Sequence, residues 1–147
     1  MKLREEMPEL DGAVNWLNRK VTKNELVGEK PTLFHFWSVS CHLCKKALLD
    51  INKLRDDYRE ELNVVAVHMP RIKSDHDINV IKQTSCDHDI TQPIYLDGKF
   101  ILTDAFGTRT VPAYYIFDRN GQLRHFQAGG NGMKMLQTRL RRILGKG

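Results

Sequence analysis

The chain has 147 residues, which is enough for one domain with a hydrophobic core and leaves little room for a second, so we expect residues 1–147 to form a single domain. Hydrophobic residues make up 41% and charged residues 28% of the sequence, a composition that excludes a disordered chain and is typical of a globular protein. The net charge of +5 is scattered apart from one C-terminal cluster, which indicates a solvated helix face, and we expect no nucleic-acid partner.

This sequence shows neither a signal-peptide core nor a disulfide scaffold. No segment approaches the length of a membrane span, and the first residues carry charges instead of the apolar stretch of a signal peptide. If Met1 is the natural start, we expect a cytoplasmic protein with no membrane partner, although a domain trimmed of a membrane anchor would show the same pattern. Three cysteines are too few for a disulfide-stapled scaffold.

The N-terminal half predicts a strand–helix–strand unit. Residues 12–18 alternate weakly and predict a short edge strand, and residues 21–28 predict a single helical turn. Residues 31–38 are apolar and aromatic, as in a strand buried on both faces. From Cys41 the apolar residues recur at steps of three and four, which predicts a helix of about five turns. Residues 62–69 predict a second buried strand, and this order implies a parallel pair.

The C-terminal half predicts three more elements and then a hairpin. A polar stretch at residues 74–89 predicts a helix capped by Ser74 or Asp75. Residues 93–96 predict a strand, and residues 100–106 predict a short helix that a glycine ends.

The hairpin signal is the pair Asn120 and Gly121, which lies between two strand patterns at residues 112–118 and 122–128. An amphipathic helix follows. Its apolar face is formed by Met133, Leu136, Leu140 and Ile143.

The strongest chemical signal is the pair Cys41 and Cys44, spaced as C-x-x-C where a buried strand gives way to a helix. A helix N-terminus presents unpaired backbone N–H groups and the positive end of the helix dipole, and both favour a thiolate. Two thiols at this spacing can also close a small disulfide ring. The pair therefore predicts a dithiol redox site.

Two other interpretations of the cysteine pair stay open. A zinc site would need two more ligands, which Cys86 with His88 or His42 could supply, but structural zinc usually takes such pairs from tight turns. The two cysteines could also be merely structural. The strand-to-helix context favours redox chemistry, so we expect no metal, and we expect Cys86 to be a free thiol.

The segment FHFWSVSCHLCKK resembles the active-site stretch of thioredoxin, in which an apolar strand and a Phe-Trp pair precede the C-x-x-C. The rest of the chain is similar to the TlpA/ResA-like branch of thioredoxin-like thiol–disulfide oxidoreductases. The segments that carry this similarity are VVAVHM, QPIYLDG and DAFGTRTVPAYYIFDRNGQLRHFQAGG. The resemblance covers approximately residues 10–146, in the right order and at the right spacings.

The resemblance implies an α/β thioredoxin fold with an N-terminal extension and an inserted helix at about residues 74–89. Its central mixed sheet would have four or five strands with helices on both faces, and the thiols would sit at the C-terminal end of a central strand. The resemblance also implies a cis peptide bond between Val111 and Pro112, facing the thiols. The residues alone predict only that a proline is tolerated where a strand starts, because most X–Pro bonds are trans.

The resemblance further assigns roles to site residues. Cys41 would be the exposed nucleophile that attacks a substrate disulfide, and Cys44 would resolve the mixed disulfide. Val111 and Pro112 would bind a substrate peptide in extended form, a small case of strand addition. Trp37 would be partly core and partly the floor of the substrate groove.

Two histidines and a serine could modify the site. His42, as a cation, would stabilise the thiolate and make the couple more oxidising, or it could be an exposed side chain with little effect. His35 matches the position of the buried acid of thioredoxins and could act as a general base for Cys44, or it could be a hydrogen-bonded core histidine. Ser40 replaces the tryptophan that usually precedes the first cysteine, so we expect a more polar rim.

We therefore expect an enzyme that exchanges electrons with protein or small-molecule disulfides and needs no cofactor. Its partners would be disulfide-containing proteins and an unidentified redox partner, and the chain would be a monomer. One alternative is a redoxin-type thiol peroxidase, but Phe34 and Ser38 occupy the Pro and Thr positions of its P-x-x-x-T-x-x-C pattern. Another is a metal- or copper-binding module with both cysteines as soft ligands. The direction of electron flow does not follow from the sequence.

Overall fold

The computed structural model describes residues 1–146, in which strands and helices alternate around one mixed sheet. The strands are β1 (Asn15–Leu17), β2 (Thr32–Trp37), β3 (Asn63–His68), β4 (Ile94–Leu96), β5 (Ala113–Phe117) and β6 (Leu123–Ala128). The helices are α1 (Lys23–Leu26), α2 (His42–Asp57), α3 (Ile78–Asp87), α4 (Ile101–Phe106) and α5 (Met133–Ile143), and a 3₁₀ turn spans Lys73–His76. This architecture confirms the predicted α/β thioredoxin fold.

The order of the strands across the sheet is β1-β4-β3-β2-β5-β6. Strand β2 pairs in parallel with β3 and antiparallel with β5, and all six of its residues are buried, as its apolar sequence predicts. The implied number of four or five strands is too low, because the described chain forms six. The additional strand is β1, which lies at one edge of the sheet and pairs antiparallel with β4 through Trp16 and Tyr95.

Helix α2 carries the cysteine pair and packs along one face of the sheet. Its N-cap is Cys41, and its buried face includes Leu48, Ile51 and Leu54, at the three- and four-residue steps predicted from the sequence. Because β2 ends at Trp37, only a short turn separates the central strand from the helix. The cysteines therefore lie at the C-terminal end of β2, as the resemblance implies.

The inserted segment differs from the prediction of one helix over residues 74–89. It forms the 3₁₀ turn first, and α3 begins only at Ile78, where the Asp77 carboxylate accepts the backbone N–H of Asn79 at 2.9 Å. The cap is therefore Asp77, because the carboxylate of Asp75 accepts hydrogen bonds from outside the helix. Ile78, the first residue of the helix, is 36% exposed.

The sheet has a hydrophobic core on each face. On one face, four aromatic rings pack around Phe106, three edge to face and one tilted, with ring centroids 4.8–5.8 Å from that of Phe106. The partners are Phe34, Phe36, Tyr115 and Phe117. On the other face, Leu33 and Ile116 pack against buried residues of α2 and α5.

The elements predicted from residue 93 onward are confirmed. The hairpin between β5 and β6 closes through the Asp118 N–H, which donates to Gln122 O at 2.9 Å, and Gly121 adopts a φ of 79° in the turn. Helix α4 ends at Gly107, which has a φ of 71°. Across residues 1–146, none of the helices combines the length and the apolar character that crossing a membrane requires.

We expect Phe106→Ala to lower the free energy of unfolding by about 3–5 kcal/mol, because it empties the centre of the aromatic cluster. Urea unfolding followed by far-UV circular dichroism measures the change. The control is Leu49→Ala on α2, where the side chain is 79% exposed and the loss should stay within about 0.5 kcal/mol. Equal losses in the two variants would contradict the assignment of the core.

Candidate active site

Cys41 and Cys44 are joined as a disulfide at the N-terminus of α2, and their Cα atoms are 5.2 Å apart. Cys41 is the N-cap residue, and its Sγ accepts the backbone N–H of Cys44 at 3.1 Å. A sulfur at this position therefore receives a hydrogen bond and lies at the positive end of the helix dipole, which stabilises a thiolate in the reduced protein.

Cys41 is less exposed than predicted. In the disulfide form it is 3% exposed, and Cys44 is 1% exposed. The carbonyl oxygen of Val111 lies 3.7 Å from Cys41 Sγ and covers it. What distinguishes the two cysteines is their place in the helix, since Cys41 precedes the first turn and Cys44 lies within it.

The loop before β5 faces the disulfide. The Val111–Pro112 peptide bond is cis, as the resemblance implies. Pro112 O accepts the Gly129 N–H at 2.8 Å, which ties this loop to the end of β6. The structure thus brings Val111 and Pro112, which lie 70 residues or more from Cys41 in the sequence, next to the cysteines.

Trp37 lies in the core and does not form the floor of a groove, contrary to the prediction. Its side chain is 1% exposed, and its ring packs edge-on against His68 with the centroids 5.0 Å apart. The ring is covered because the last residue of the central strand β2 lies beneath the turn that leads to Cys41. Trp37 therefore supports that turn from below.

His35 is a buried member of a polar network beneath α2. Gln92 Oε1 accepts a hydrogen bond from Arg55 at 2.8 Å, so the Gln92 amide nitrogen is the donor in its 2.8 Å contact with His35 Nε2. Burial, together with the nearby Arg55 charge, lowers the pKa of His35 to about 3. A general base requires a pKa near neutrality, so this environment favours the core interpretation.

A second buried histidine, His68, was assigned no role from the sequence. Its Nε2 accepts the backbone N–H of Val39 at 3.2 Å, so it supports the turn that precedes Cys41. Burial lowers the pKa of His68 to about 4, although the Asp75 carboxylate opposes the shift. The sequence offers one signal for this role, a histidine at the end of an apolar strand. It does not identify the partner, Val39, which lies 29 residues away.

A polar cluster also lies beside Cys41 and was missed by sequence reasoning. Ser40 Oγ donates to Asp75 Oδ2 at 2.7 Å, and Arg71 Nη2 donates to Ser40 O at 2.8 Å. Burial would raise the pKa of Asp75, but hydrogen bonds from the Arg71 N–H, the Ser40 hydroxyl and the Ile72 N–H lower it below its usual value. The predicted polar rim thus extends into the inserted segment.

The residues between the cysteines face outward. His42 is exposed, and Leu43 is 50% exposed and lies against Gly130, where an added Cβ would be 3.3 Å from it. Cys86 is a free, exposed cysteine, as predicted. The zinc interpretation would need further ligands near the pair, and residues 1–146 contain no group of three or more metal-ligating side chains.

The fold and the disulfide at the N-terminus of α2 define a thioredoxin-like thiol–disulfide oxidoreductase. Comparison with known families agrees, because the profile of the AhpC/TSA family matches residues 3–126. The chain belongs to the AhpC/TSA family.

Individual relatives are similar over most of the chain. The thiol-disulfide oxidoreductase YkuV of Bacillus subtilis is 62% identical over 144 residues, which are 98% of this chain and 97% of YkuV. The solution structure of a thioredoxin-like protein in the oxidized form is 61% identical and superposes with a TM-score of 0.93, covering 99% of each chain.

The TlpA/ResA-like resemblance is confirmed by a more distant relative. The thiol-disulfide oxidoreductase ResA of Halalkalibacterium halodurans is 24% identical over 115 residues. The match covers 77% of this chain and 61% of ResA.

We expect the protein to lose stability in mild acid because His35 and His68 are buried without charge. Each has a folded pKa below the unfolded value of 6.5, so the unfolded chain binds more protons and stability falls as the pH drops from 6.5 toward the folded values of about 3 and 4. At pH 5 the loss should be roughly 2 kcal/mol for each histidine relative to pH 7.5.

Urea unfolding at pH 7.5, 6 and 5 measures this dependence. In His35→Gln, which keeps a polar side chain and cannot titrate, the slope of stability against pH should fall by about half. A slope identical to that of the wild type would show that His35 contributes nothing to it.

Proposed function

We propose that this oxidoreductase exchanges electrons with the disulfides of other proteins and is recycled by a separate redox partner. The observation that carries the proposal is the position of Cys41 as the N-cap of α2, with its Sγ hydrogen-bonded to Cys44 N–H and next to the Val111 carbonyl. A sulfur in this position is stabilised as a thiolate, and the thiolate is the attacking form in thiol–disulfide exchange.

The exchange proceeds in two displacement steps. The Cys41 thiolate attacks one sulfur of the substrate disulfide, so a mixed disulfide forms and the other substrate sulfur leaves as a thiolate that takes up a proton. Cys44, after losing its proton, attacks Cys41 Sγ and releases the second substrate thiol. The substrate gains two electrons, and the protein is left with the Cys41–Cys44 disulfide. A dithiol donor reverses these steps and restores the reduced protein.

The loop at Val111 supports a polypeptide as substrate. Its carbonyl lies beside the reacting sulfur, where a peptide in extended form could pair with the backbone of Val111 by strand addition. Leu43, half exposed in the first turn of α2 and packed at Gly130, offers an apolar contact close to the disulfide. A disulfide in an exposed, extended segment of a protein matches both features.

The other partner proposals follow from composition. We propose a monomer that works in the cytoplasm without nucleic acid or membrane. The net charge of +5 is compatible with this, because basic residues of this number can form solvated helix faces.

The surroundings of Phe34 and Ser38 argue against the thiol peroxidase alternative. Phe34 belongs to the aromatic core, and the Ser38 hydroxyl donates to Met69 O within the protein. Neither side chain is exposed, so neither can reach a peroxide at Cys41. A rapid reaction of reduced Cys41 with hydrogen peroxide would restore this alternative.

We expect Cys41→Ser to reduce disulfide reductase activity to background, because no nucleophile remains at the N-cap position. Cys44→Ser should attack normally and accumulate a mixed disulfide that mass spectrometry detects as a covalent adduct on Cys41. Insulin reduction with dithiothreitol as the electron donor measures turnover.

Cys86→Ser is the matched control for these variants, since it removes the free, exposed thiol and should leave turnover unchanged. Turnover that survives in Cys41→Ser would overturn the assignment of the nucleophile. Failure of Cys44→Ser to trap an adduct would overturn the assignment of the resolving residue.

We expect His42→Ala to make the Cys41–Cys44 midpoint potential more negative by about 10–30 mV, since an imidazole beside the thiolate can stabilise the reduced form and the variant removes it. Equilibration with glutathione buffers, read by alkylation and mass, gives the potential. Leu43→Ala, also within the motif but uncharged, is the control. An unchanged potential in His42→Ala would remove His42 from the site.

A further inference from the structure

The guanidinium of Arg71 is anchored next to the nucleophilic cysteine. Its Nη2 donates to Ser40 O at 2.8 Å and to Ser40 Oγ at 3.2 Å, and its Nε donates to Ser40 Oγ at 3.3 Å. Ser40 is bonded directly to Cys41. The positive charge of Arg71, which comes from the segment inserted between β3 and α3, is therefore held at the rim of the active site.

Asp75 holds the backbone of Arg71 in this position. It is 1% exposed, and its Oδ2 accepts hydrogen bonds from the Ser40 hydroxyl at 2.7 Å and from the Arg71 N–H at 2.8 Å. The Arg71 guanidinium itself has no carboxylate oxygen within 4.0 Å in residues 1–146, as judged from the ion pairs there. Its charge is thus fixed in place, and the nearest carboxylate, that of Asp75, reaches it only through the shared Ser40 hydroxyl.

Four further cations lie close to site residues in the sequence. Lys45 and Lys46 follow Cys44 in α2, Lys73 lies two residues after Arg71, and Arg109 lies two residues before Val111. None of these four side chains forms an ion pair within the described chain. A surface with unpaired charges of one sign attracts a partner of the opposite sign.

The geometry of Arg71 leaves one nitrogen for a ligand. Nε and Nη2 face Ser40, whereas Nη1 makes no hydrogen bond in residues 1–146. A guanidinium nitrogen of this kind is a strong donor to a carboxylate. Ile72, which is 55% exposed, and Leu43, which is 50% exposed, add apolar contact area to the rim.

We propose that Arg71 is a specificity-determining residue that selects protein disulfides flanked by acidic side chains. The inference rests on the proposed function and deepens it by naming a substrate class. A substrate carboxylate close to the disulfide binds Arg71 Nη1, and the surrounding lysines and Arg109 strengthen the attraction at longer range. The exchange chemistry at Cys41 and Cys44 is the same for every disulfide, so the selection acts on binding.

Three peptide disulfides test the proposal. They differ only in the residues on both sides of the cysteine, which are Glu, Lys or the neutral Ser. The measured quantity is kcat/KM for reduction of each peptide by the full chain. We expect the wild type to prefer the Glu peptide over the Lys peptide by about tenfold at low salt, and the preference should shrink at about 0.5 M salt.

Arg71→Gln should lower kcat/KM for the Glu peptide by about threefold to tenfold, mainly through KM, and lower it less for the Ser peptide. Arg71→Glu should reverse the preference, and Arg71→Lys, which keeps the charge, should retain most of it. The matched control is Arg19→Gln, because Arg19 is exposed at the opposite edge of the sheet, near Pro93 at the start of β4.

The outcomes distinguish a failure of the proposed charge selection from a failure of the proposed function. If the wild type reduces the Ser peptide but shows no preference for charge, or if Arg71→Gln lowers kcat/KM equally for all three peptides, then Arg71 has no role in selection. If the wild type reduces none of the peptides and no protein disulfide, the proposed function fails and the inference falls with it.

Discussion

The active site depends on one local interaction, the hydrogen bond from Cys44 N–H to Cys41 Sγ at the N-terminus of α2. At most helix N-termini a side-chain oxygen caps the first turn, and here a sulfur takes that place. The Cys44 N–H, which would otherwise lack a partner in the first turn of the helix, also stabilises a thiolate at Cys41. A single hydrogen bond therefore caps the helix and activates the nucleophile. Because β2 ends only four residues earlier, the central strand fixes where that sulfur lies.

The turn that carries Cys41 is supported from three separate parts of the chain. His68 at the end of β3 accepts the Val39 N–H, Asp75 of the inserted segment accepts the Ser40 hydroxyl, and the Val111 carbonyl covers the sulfur. These contacts bring together the C-terminal ends of β2 and β3 with the loop before β5. Parallel pairing of β2 with β3 makes this possible, since their carboxyl ends meet at one edge of the sheet.

The buried histidines and the buried carboxylate around the site are hydrogen-bonded, and the Arg71 cation lies exposed at the rim. His35 and His68 each accept a hydrogen bond and lie deep enough to stay uncharged at neutral pH. The Asp75 carboxylate is buried but accepts several N–H and O–H donors, which is the condition under which a buried charge is tolerated. Buried, hydrogen-bonded groups therefore support the turn that carries the reactive sulfur, and the Arg71 cation lies exposed beside that turn.

The sequence by itself determined the order of the elements, the hairpin and the redox pair, because apolar periodicity and a C-x-x-C at a strand–helix junction are local properties of the chain. Its family resemblance implied the cis bond before Pro112, and the structure contains it. Only the tertiary structure decided that Trp37 is core, that His35 bonds to Gln92, and that Arg71 and Asp75 meet Ser40 across 31 and 35 residues. Such contacts depend on how strands pair and loops meet, and no pattern within a short window of sequence encodes which distant polar group becomes the partner of another.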